Sequence, residues 1–574
     1  MLRLQYVRRV GNQKISVAGY QLVVVLAGVL LVLPLANRVS GWQSPAGTGA
    51  GNAGHKTVEQ AHPAPSTQTI YAPIGLGNPY VAELVLNNNS PGNMDVTPAF
   101  YTTEGTTLTG RRVTLEPSEV RNMAVADLMP PDPHTVDVAG MTLTYFGGML
   151  EVGAQITLLG QGGTSSVDIP FSAGMDYRSA AQEAVWWMPK HAEATIILGN
   201  ASDAQVIANL RYSNGQSEEV TLRPFATEIV ERTSVAENSS EGIAESLRIE
   251  LSGPVGSLRA TGFVTAADKR FNSGIRFYDP DTIRQPHLFA TNLGLKKREP
   301  RLVLKNIGDV AISARPRFIP PSGESGTAAL ELRAVSLQPH AAVEVDLKPL
   351  EKAAKTRSDF DMVSAQILND SGAKNLIGAL YSSDSSTKTT YDVPLRDSGP
   401  VRNSTGSYPW RIDGDYSTII SITNTRQDAA KYLVTINYEG GRYSLAPREL
   451  ASGETAVFDL RKIRDEQIQD KDGSKIPQSA NVGQFRWSLI GGDNLRLIGR
   501  SEVVSLSRGV SSSYSCPVCC PDSFSGLVIT PASSVGSVGE TALLAVDGFL
   551  TDCYLYQYGP YAWSVSQWYI EIRV

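Results

Sequence analysis

Between residue 69 and about residue 515 the chain is a succession of short apolar runs broken by Gly, Pro and Asn, and several of them alternate strictly, as in Ile275-Arg276-Phe277. Alternation with a period of two is the mark of a half-buried strand, because successive side chains leave a strand on opposite faces. Four runs end at an asparagine: Leu84-Val85-Leu86-Asn87-Asn88, Ile196-Ile197-Leu198-Gly199-Asn200, Leu302-Val303-Leu304-Lys305-Asn306 and Ile420-Ser421-Ile422-Thr423-Asn424. Their last Asn residues stand 112, 106 and 118 positions apart. An apolar or aromatic patch begins 14 to 18 residues before each, at Tyr71-Ala72-Pro73, Trp186-Trp187-Met188, Leu288-Phe289 and Tyr408-Pro409-Trp410.

Further landmarks recur in the same order. A second strand leads to a Leu-x-Pro turn at Leu115-Glu116-Pro117, Leu222-Arg223-Pro224, Leu337-Gln338-Pro339 and Leu445-Ala446-Pro447. Pro sets φ near −65° for the first central position of such a turn. Three copies reach an Asp-Leu pair, at Asp127-Leu128, Asp346-Leu347 and Asp459-Leu460, and short helices are expected near Glu351 to Lys355 and Lys462 to Gln469. Units of about 110 residues made of short strands predict tandem immunoglobulin-like β-sandwiches, whereas propeller blades are shorter, about 40–50 residues. The expected modules are 69–180, 181–284, 285–403 and 404–515, followed by a smaller cysteine-containing module at 516–574.

The pattern before residue 69 is different. Residues 1–14 carry Arg3, Arg8, Arg9 and Lys14 and no acid, and residues 15–37 open on a long apolar run. About 20 such residues span a bilayer as a helix, with the basic flank on the cytoplasmic side. The reading is an uncleaved signal-anchor, with a cleaved signal peptide as its rival. Residues 38–68 are small, polar and rich in Pro and Gly, and are expected to form a disordered tether. The bulk of the chain is thereby placed outside the cytoplasm, in a periplasm or at a cell surface.

Composition narrows the function. A net charge of −6 offers no footprint for nucleic acid. The six histidines, His55, His62, His134, His191, His287 and His340, show no metal-binding spacing, and no nucleophile elbow or phosphate loop is present. No catalytic residue, cofactor site or metal site is therefore assigned. Asp413-Gly414-Asp415 and Asp470-Lys471-Asp472-Gly473 have the oxygen-rich look of calcium ligands, but lack a distal Glu and read first as Asp-Gly turns. The aromatic patches are expected to pack between modules, with sugar stacking as the alternative.

The four cysteines, Cys516, Cys519, Cys520 and Cys553, all fall in the last module. The only C-x-x-C has no second knuckle for zinc, and Pro521 does not open a redox helix. In an oxidising compartment they are candidates for disulfide staples of a thin core, with zinc and redox readings left open behind that one. Within this module Leu527-Val528-Ile529-Thr530-Pro531, Val538-Gly539-Glu540-Thr541, Leu543-Leu544-Ala545-Val546 and Trp563-Ser564-Val565 follow one another. This series resembles the bacterial immunoglobulin-like (Big-type) domain family over about 40 residues, and implies a β module of that kind. The chain departs from the family in ending at Val574, where further strands would follow. The module is read as incomplete.

The expected function is that of a non-enzymatic, membrane-anchored stalk displaying a terminal binding surface to a protein or glycan partner. Four modules in line, each about 30 Å long at roughly 3.3 Å per residue, would reach about 120 Å. A scaffold folded back on itself, binding envelope proteins or glycans, is the alternative, and an enzyme in an interdomain cleft the remote one. The last residues alternate as Tyr569-Ile570-Glu571-Ile572-Arg573-Val574, and an unpaired strand there invites self-association or strand addition.

Overall fold

The computed structural model describes residues 66–514, apart from 76–80, 91, 131–137, 149–150, 161–165, 234–240, 267–270, 284, 322–328, 398–404, 491–496 and 506, together with strands at 3–10, 13–17, 527–530, 541–548 and 568–573. Residues 66–514 are mainly β and form four pairs of antiparallel sheets, called here repeats 1 to 4. In repeat 2 one sheet runs, edge to edge, Ser217–Leu222, Val206–Tyr212, Gly242–Ser252, Ala181–Pro189 and Phe277–Tyr278. The facing sheet runs Thr227–Thr233, Ala192–Asn200, Leu258–Ala266 and Asn272–Ile275. The same strand order recurs in repeats 1 and 3, and in repeat 4 without the short closing strand among the described residues.

Each pair encloses its own apolar core. Leu84, Leu86, Phe100 and Ile156 are sealed in repeat 1; Trp186, Ile196, Leu198 and Ile249 in repeat 2; Leu302, Leu304, Phe318 and Leu350 in repeat 3; and Ile420, Ile422, Phe485 and Trp487 in repeat 4. Where a run is apolar without alternation, both faces are covered. Ile196 and Leu198 point into their own core, while Ile197 between them packs into the core of repeat 1. Val303, flanked by Leu302 and Leu304, likewise packs into the core of repeat 2.

The recurring asparagine has a definite task. Asn88, Asn200, Asn306 and Asn424 are fully buried. Each side-chain NH2 donates to the carbonyl four residues on, at Gly92, Ala204, Val310 and Asp428 (2.7–2.8 Å). The same group donates to two successive carbonyls across the sandwich: Leu115 and Glu116, Leu222 and Arg223, Leu337 and Gln338, and Leu450 and Ala451. One amide thus satisfies backbone acceptors that strand pairing leaves open.

Those carbonyls belong to the Leu-x-Pro turns, and here the sequence reading needs one correction. The fourth turn is Leu450-Ala451-Ser452-Gly453, not Leu445-Ala446-Pro447. Ser118, Phe225, His340 and Gly453 all have φ between 56° and 72°, and each turn closes with a bond from the next residue to the carbonyl three back. A positive φ at the second central position is the type II pattern, for which Gly is the undemanding choice. Repeat 4 has Gly there and dispenses with the Pro that marks the other three. Short helices follow at Lys348–Thr356 and Leu460–Asp465, the latter capped by Asp459, which accepts from Lys462 N at 3.0 Å.

A second unit is formed by the two chain ends. Its sheet runs Gln13–Val17, Arg3–Val10, Trp568–Arg573, Thr541–Gly548 and Leu527–Thr530. The C-terminal strand is therefore not an open edge, as Leu4 registers with Ile572 and Tyr6 with Ile570 on one side, and Ala542 and Leu544 with the same residues on the other. Residues 15–17 of the expected anchor are in a strand, as are residues 66–68 of the expected tether, which pair with the strand Val138–Gly147, and residues 18–65 lie outside the described residues. Among the described residues no helix is long and apolar enough to cross a membrane.

Candidate functional site

The chemistry of this protein concentrates where the repeats meet. The last long strand of each repeat lies at a common junction: Ser166–Pro170, Asn272–Ile275, Thr389–Asp392 and Val510–Tyr514. Ser511 N donates to Ser166 Oγ (3.0 Å), and Ser512 Oγ and Ser513 N donate to the Asp168 carboxylate. On the opposite side Asn272 N donates to Thr390 Oγ1 (3.2 Å) and Gly274 N to Asp392 Oδ2 (2.7 Å). The two sets superimpose residue for residue, with 166 and 168 standing for 390 and 392, and 511 and 513 for 272 and 274. A pseudo-two-fold axis thus exchanges repeat 1 with 3 and repeat 2 with 4.

The remaining joints close the circuit. Asn272 Nδ2 reaches Ser166 O (2.9 Å), joining repeats 2 and 1. Between repeats 3 and 4, Arg500 donates to the carbonyls of Asn292 (3.1 Å) and Asp392 (2.9 Å) and to Ser513 Oγ (2.7 Å), while pairing with Glu502 at 2.6 Å. Arg500 and Glu502 are almost fully buried, and a guanidinium with five donors is suited to such a knot. Repeat 1 also touches repeat 4, a contact that four modules strictly in line would not make.

Burial pushes both junction carboxyls up. For Asp168 the hydrogen bonds from Ser513, Thr157 and Ser512 oppose it. Asp392 is raised to about 6, against the pull of Arg276 and Gly274 and with a further push from Asp168. Although Asp392 keeps some surface, its Oδ1 is sealed and has no hydrogen-bond partner.

The flanking interfaces alternate in kind. Between repeats 2 and 3, Lys305 Nζ lies 2.6 Å from Glu183, which Arg248 also meets at 2.8 Å. Between repeats 4 and 1 the equivalent positions are Asn87, Ser407 and Arg486, and Asn87 Nδ2 bonds Ser407 Oγ at 3.1 Å. Gln484 Nε2 adds a bond to Asn87 Oδ1 at 2.7 Å. Arg486 has no carboxylate opposite it, and its pKa falls to about 10 through burial. The other two interfaces use hydroxyls: Tyr71 with Thr227 (3.3 Å), and Thr291 with Ser421 (2.7 Å).

The sequence-predicted candidates fall outside this junction. Cys516, Cys519, Cys520 and Cys553 lie outside the described residues. Asp413 pairs with Arg411, and Asp415 accepts from Ser505 Oγ (2.7 Å) and Ser507 N (3.2 Å). Asp470 accepts from the amides of Ser444, Asp472 and Ser474, and Asp472 pairs with Lys471. Among the described residues no cluster of three or more His, Cys, Asp or Glu could hold a metal. Of the aromatic patches, Trp186, Tyr408 and Trp410 are core residues, and Tyr71 sits on the joint between repeats 1 and 2. The junction Asp residues did carry a signal, since Asp168-Ile169-Pro170 and Asp392-Val393-Pro394 share D-x-P at matching places in alternate repeats.

Comparison with known proteins adds no relative: no family model, curated protein or solved structure matches the chain.

Proposed function

We propose that the chain is a non-enzymatic extracytoplasmic scaffold, in which four immunoglobulin-like repeats form a rigid base and the terminal unit presents the binding surface. The observation carrying this reading is that the four repeats are joined through one polar junction tied by Asp168, Asp392 and Arg500. Such networks fix one arrangement of packed units rather than lowering a reaction barrier. Anchoring by residues 15–36 agrees with the basic flank and the apolar run.

Anchoring has a consequence for the terminal unit. A span at 15–36 puts residues 3–10 and 568–573 on opposite sides of the membrane, so Trp568–Arg573 loses the strand it pairs with. The vacated edge would take a strand from a protein partner or from a second copy. Small-angle scattering of residues 65–514 tests the base: a maximum dimension below about 80 Å is expected, against about 120 Å for modules in line. Cysteines placed at Leu4 and Ile572 test the second step. They are expected to cross-link in detergent-solubilised chain and not in chain inserted into vesicles, and cross-linking in both sinks the anchor.

A further inference from the structure

A cleft of about 250 Å³ opens between repeats 1 and 2, walled by Thr69, Tyr71, Thr142 and Ser172 on one side and by Ser202, residues 254–257 and Arg259 on the other. Its two walls touch closely at one point. Gly256 has φ +76°, and a Cβ there would lie 2.4 Å from Gly174 O, so no other residue fits without moving the wall.

Arg259 is out of place by the protein's own rule. It is the residue after the partner of the conserved asparagine, since Asn200 registers with Leu258. By the same register the equivalents are Gly153, Ile377 and Ile498, the two isoleucines being buried. Packing at this position therefore asks for a small or apolar side chain. Arg259 is only 3 % exposed, makes no ion pair among the described residues, and has a sealed Nε without a partner. Its Nη1 is held by the carbonyls of Gly256 and Leu258, its plane lies over the Tyr177 ring at 4.4 Å, and burial lowers its pKa. Nη2 lies beside the cleft-lining Gly174, with no hydrogen bond from it among the described residues. Asp176 attracts Arg259 through space without coming within ion-pair distance, and a buried guanidinium lacking a contact partner is costly, so an anion entering the cleft would offset part of that cost.

The hydroxyls around it add a second requirement. Thr69 meets Thr144 at 3.2 Å, Tyr71 meets Thr227 at 3.3 Å and Ser172 meets Tyr177 at 3.4 Å. These are long for O–H···O bonds, which centre near 2.7–2.8 Å; the Tyr71 contact is buried in the joint between the repeats, and the hydroxyls that a ligand can win over at little loss are those of Thr69 and Ser172. No carboxylate is among the residues lining the cleft, and the one carboxylate that acts on Arg259 is that of Asp176, two residues from the lining Gly174. The volume holds roughly eight waters at about 30 Å³ each, the size of a monosaccharide and below the usual drug-sized range.

We propose that this cleft binds a small hydroxylated oxyanion, with Arg259 taking the carboxylate of an acidic sugar and the ring of hydroxyls taking its OH groups. The site is independent of the scaffold reading, since it needs only repeats 1 and 2 in contact.

Calorimetric titration of the full chain with galacturonate, inorganic phosphate and galactose tests it. Galacturonate is expected to bind saturably, and Arg259→Ile, which installs the residue of repeat 4, is expected to fold and to weaken binding at least about tenfold through loss of a charge-assisted contact. Val255→Trp fills the mouth from a residue that is 49 % exposed and is expected to do the same while leaving the core untouched. Phosphate binding with Arg259→Ile sensitivity identifies the oxyanion as the main determinant, and phosphate failing where galacturonate succeeds identifies the saccharide. The proposal is overturned if neither anion gives saturable heat up to about 10 mM, if Arg259→Ile and Val255→Trp leave the affinity unchanged, or if galactose binds as well as galacturonate.

Discussion

Replacing Asp392 by Asn should change how the stability of the protein depends on pH. The carboxyl accepts from Gly274 N at 2.7 Å, a bond that the Asn carbonyl can keep, while its Oδ1 is sealed without a partner. Burial raises its pKa from 3.8 to about 6. In the unfolded chain the group loses its proton near its ordinary value, so between about pH 4 and pH 6 the folded state holds more protons. The stability it contributes is present below pH 4, falls as pH rises through 6, and stays lost above. A difference of about two pKa units is worth about 3 kcal/mol at 1.36 kcal/mol per unit, an upper figure because the residue keeps some surface. Urea unfolding of wild type and Asp392→Asn at pH 4.5 and 7.5 gives the difference directly. The variant is expected to gain up to about 2 kcal/mol on the wild type between the two pH values, because pH 4.5 already lies above the unfolded pKa. A gap that stays constant within about 0.5 kcal/mol would refute the buried-carboxyl account.

Three other outcomes follow from the same structure, and a fourth from the sequence alone. Asn200→Ala removes donors to three buried carbonyls and should cost about 2–4 kcal/mol in urea unfolding, while Asn200→Asp, which cannot donate, should be no better. Lys305→Met leaves Glu183 with Arg248 alone and should cost about 3 kcal/mol, part of which Glu183→Gln returns in the same background; a neutral single variant would contradict the buried pair. Arg486→Leu should stabilise the chain by about 1–3 kcal/mol, since that guanidinium is buried without a carboxylate, and a loss of stability would reveal a partner. Mass spectrometry without reductant should find Cys553 bridged to Cys516, Cys519 or Cys520, and four free thiols with stoichiometric zinc would overturn the staple assignment.

The repeats were legible because their signals are local. An apolar strand ending in a buried Asn, and a Pro before a positive-φ residue, are each set within a few residues. Repeat 4 escaped in part because Gly453 supplies the turn without Pro, and Leu445-Ala446-Pro447 nearby imitates the pattern. The junction was not legible. Ser513 and Asp168 are separated by 345 positions, and nothing in hydrophobic periodicity says which polar strands will face each other. The continuous apolar runs at Ile196 to Leu198 and Leu302 to Leu304 hinted at cover on both faces, but a run cannot say that its cover is another repeat. The C-terminal strand was read correctly as alternating, yet its neighbour was hidden in a segment whose arginines suggest a membrane flank.

The pseudo-two-fold arrangement means that residues 66–278 and 288–514 are interchangeable halves, each offering the other a Ser/Thr-x-Asp strand and receiving one. Nothing in those contacts records whether the two halves belong to one molecule. At high concentration during refolding, the first half of one chain is therefore expected to dock on the second half of another, giving an exchanged dimer. Separately expressed halves should for the same reason find each other, so that the protein can be reassembled from two pieces and the joining made conditional on whatever is fused to them.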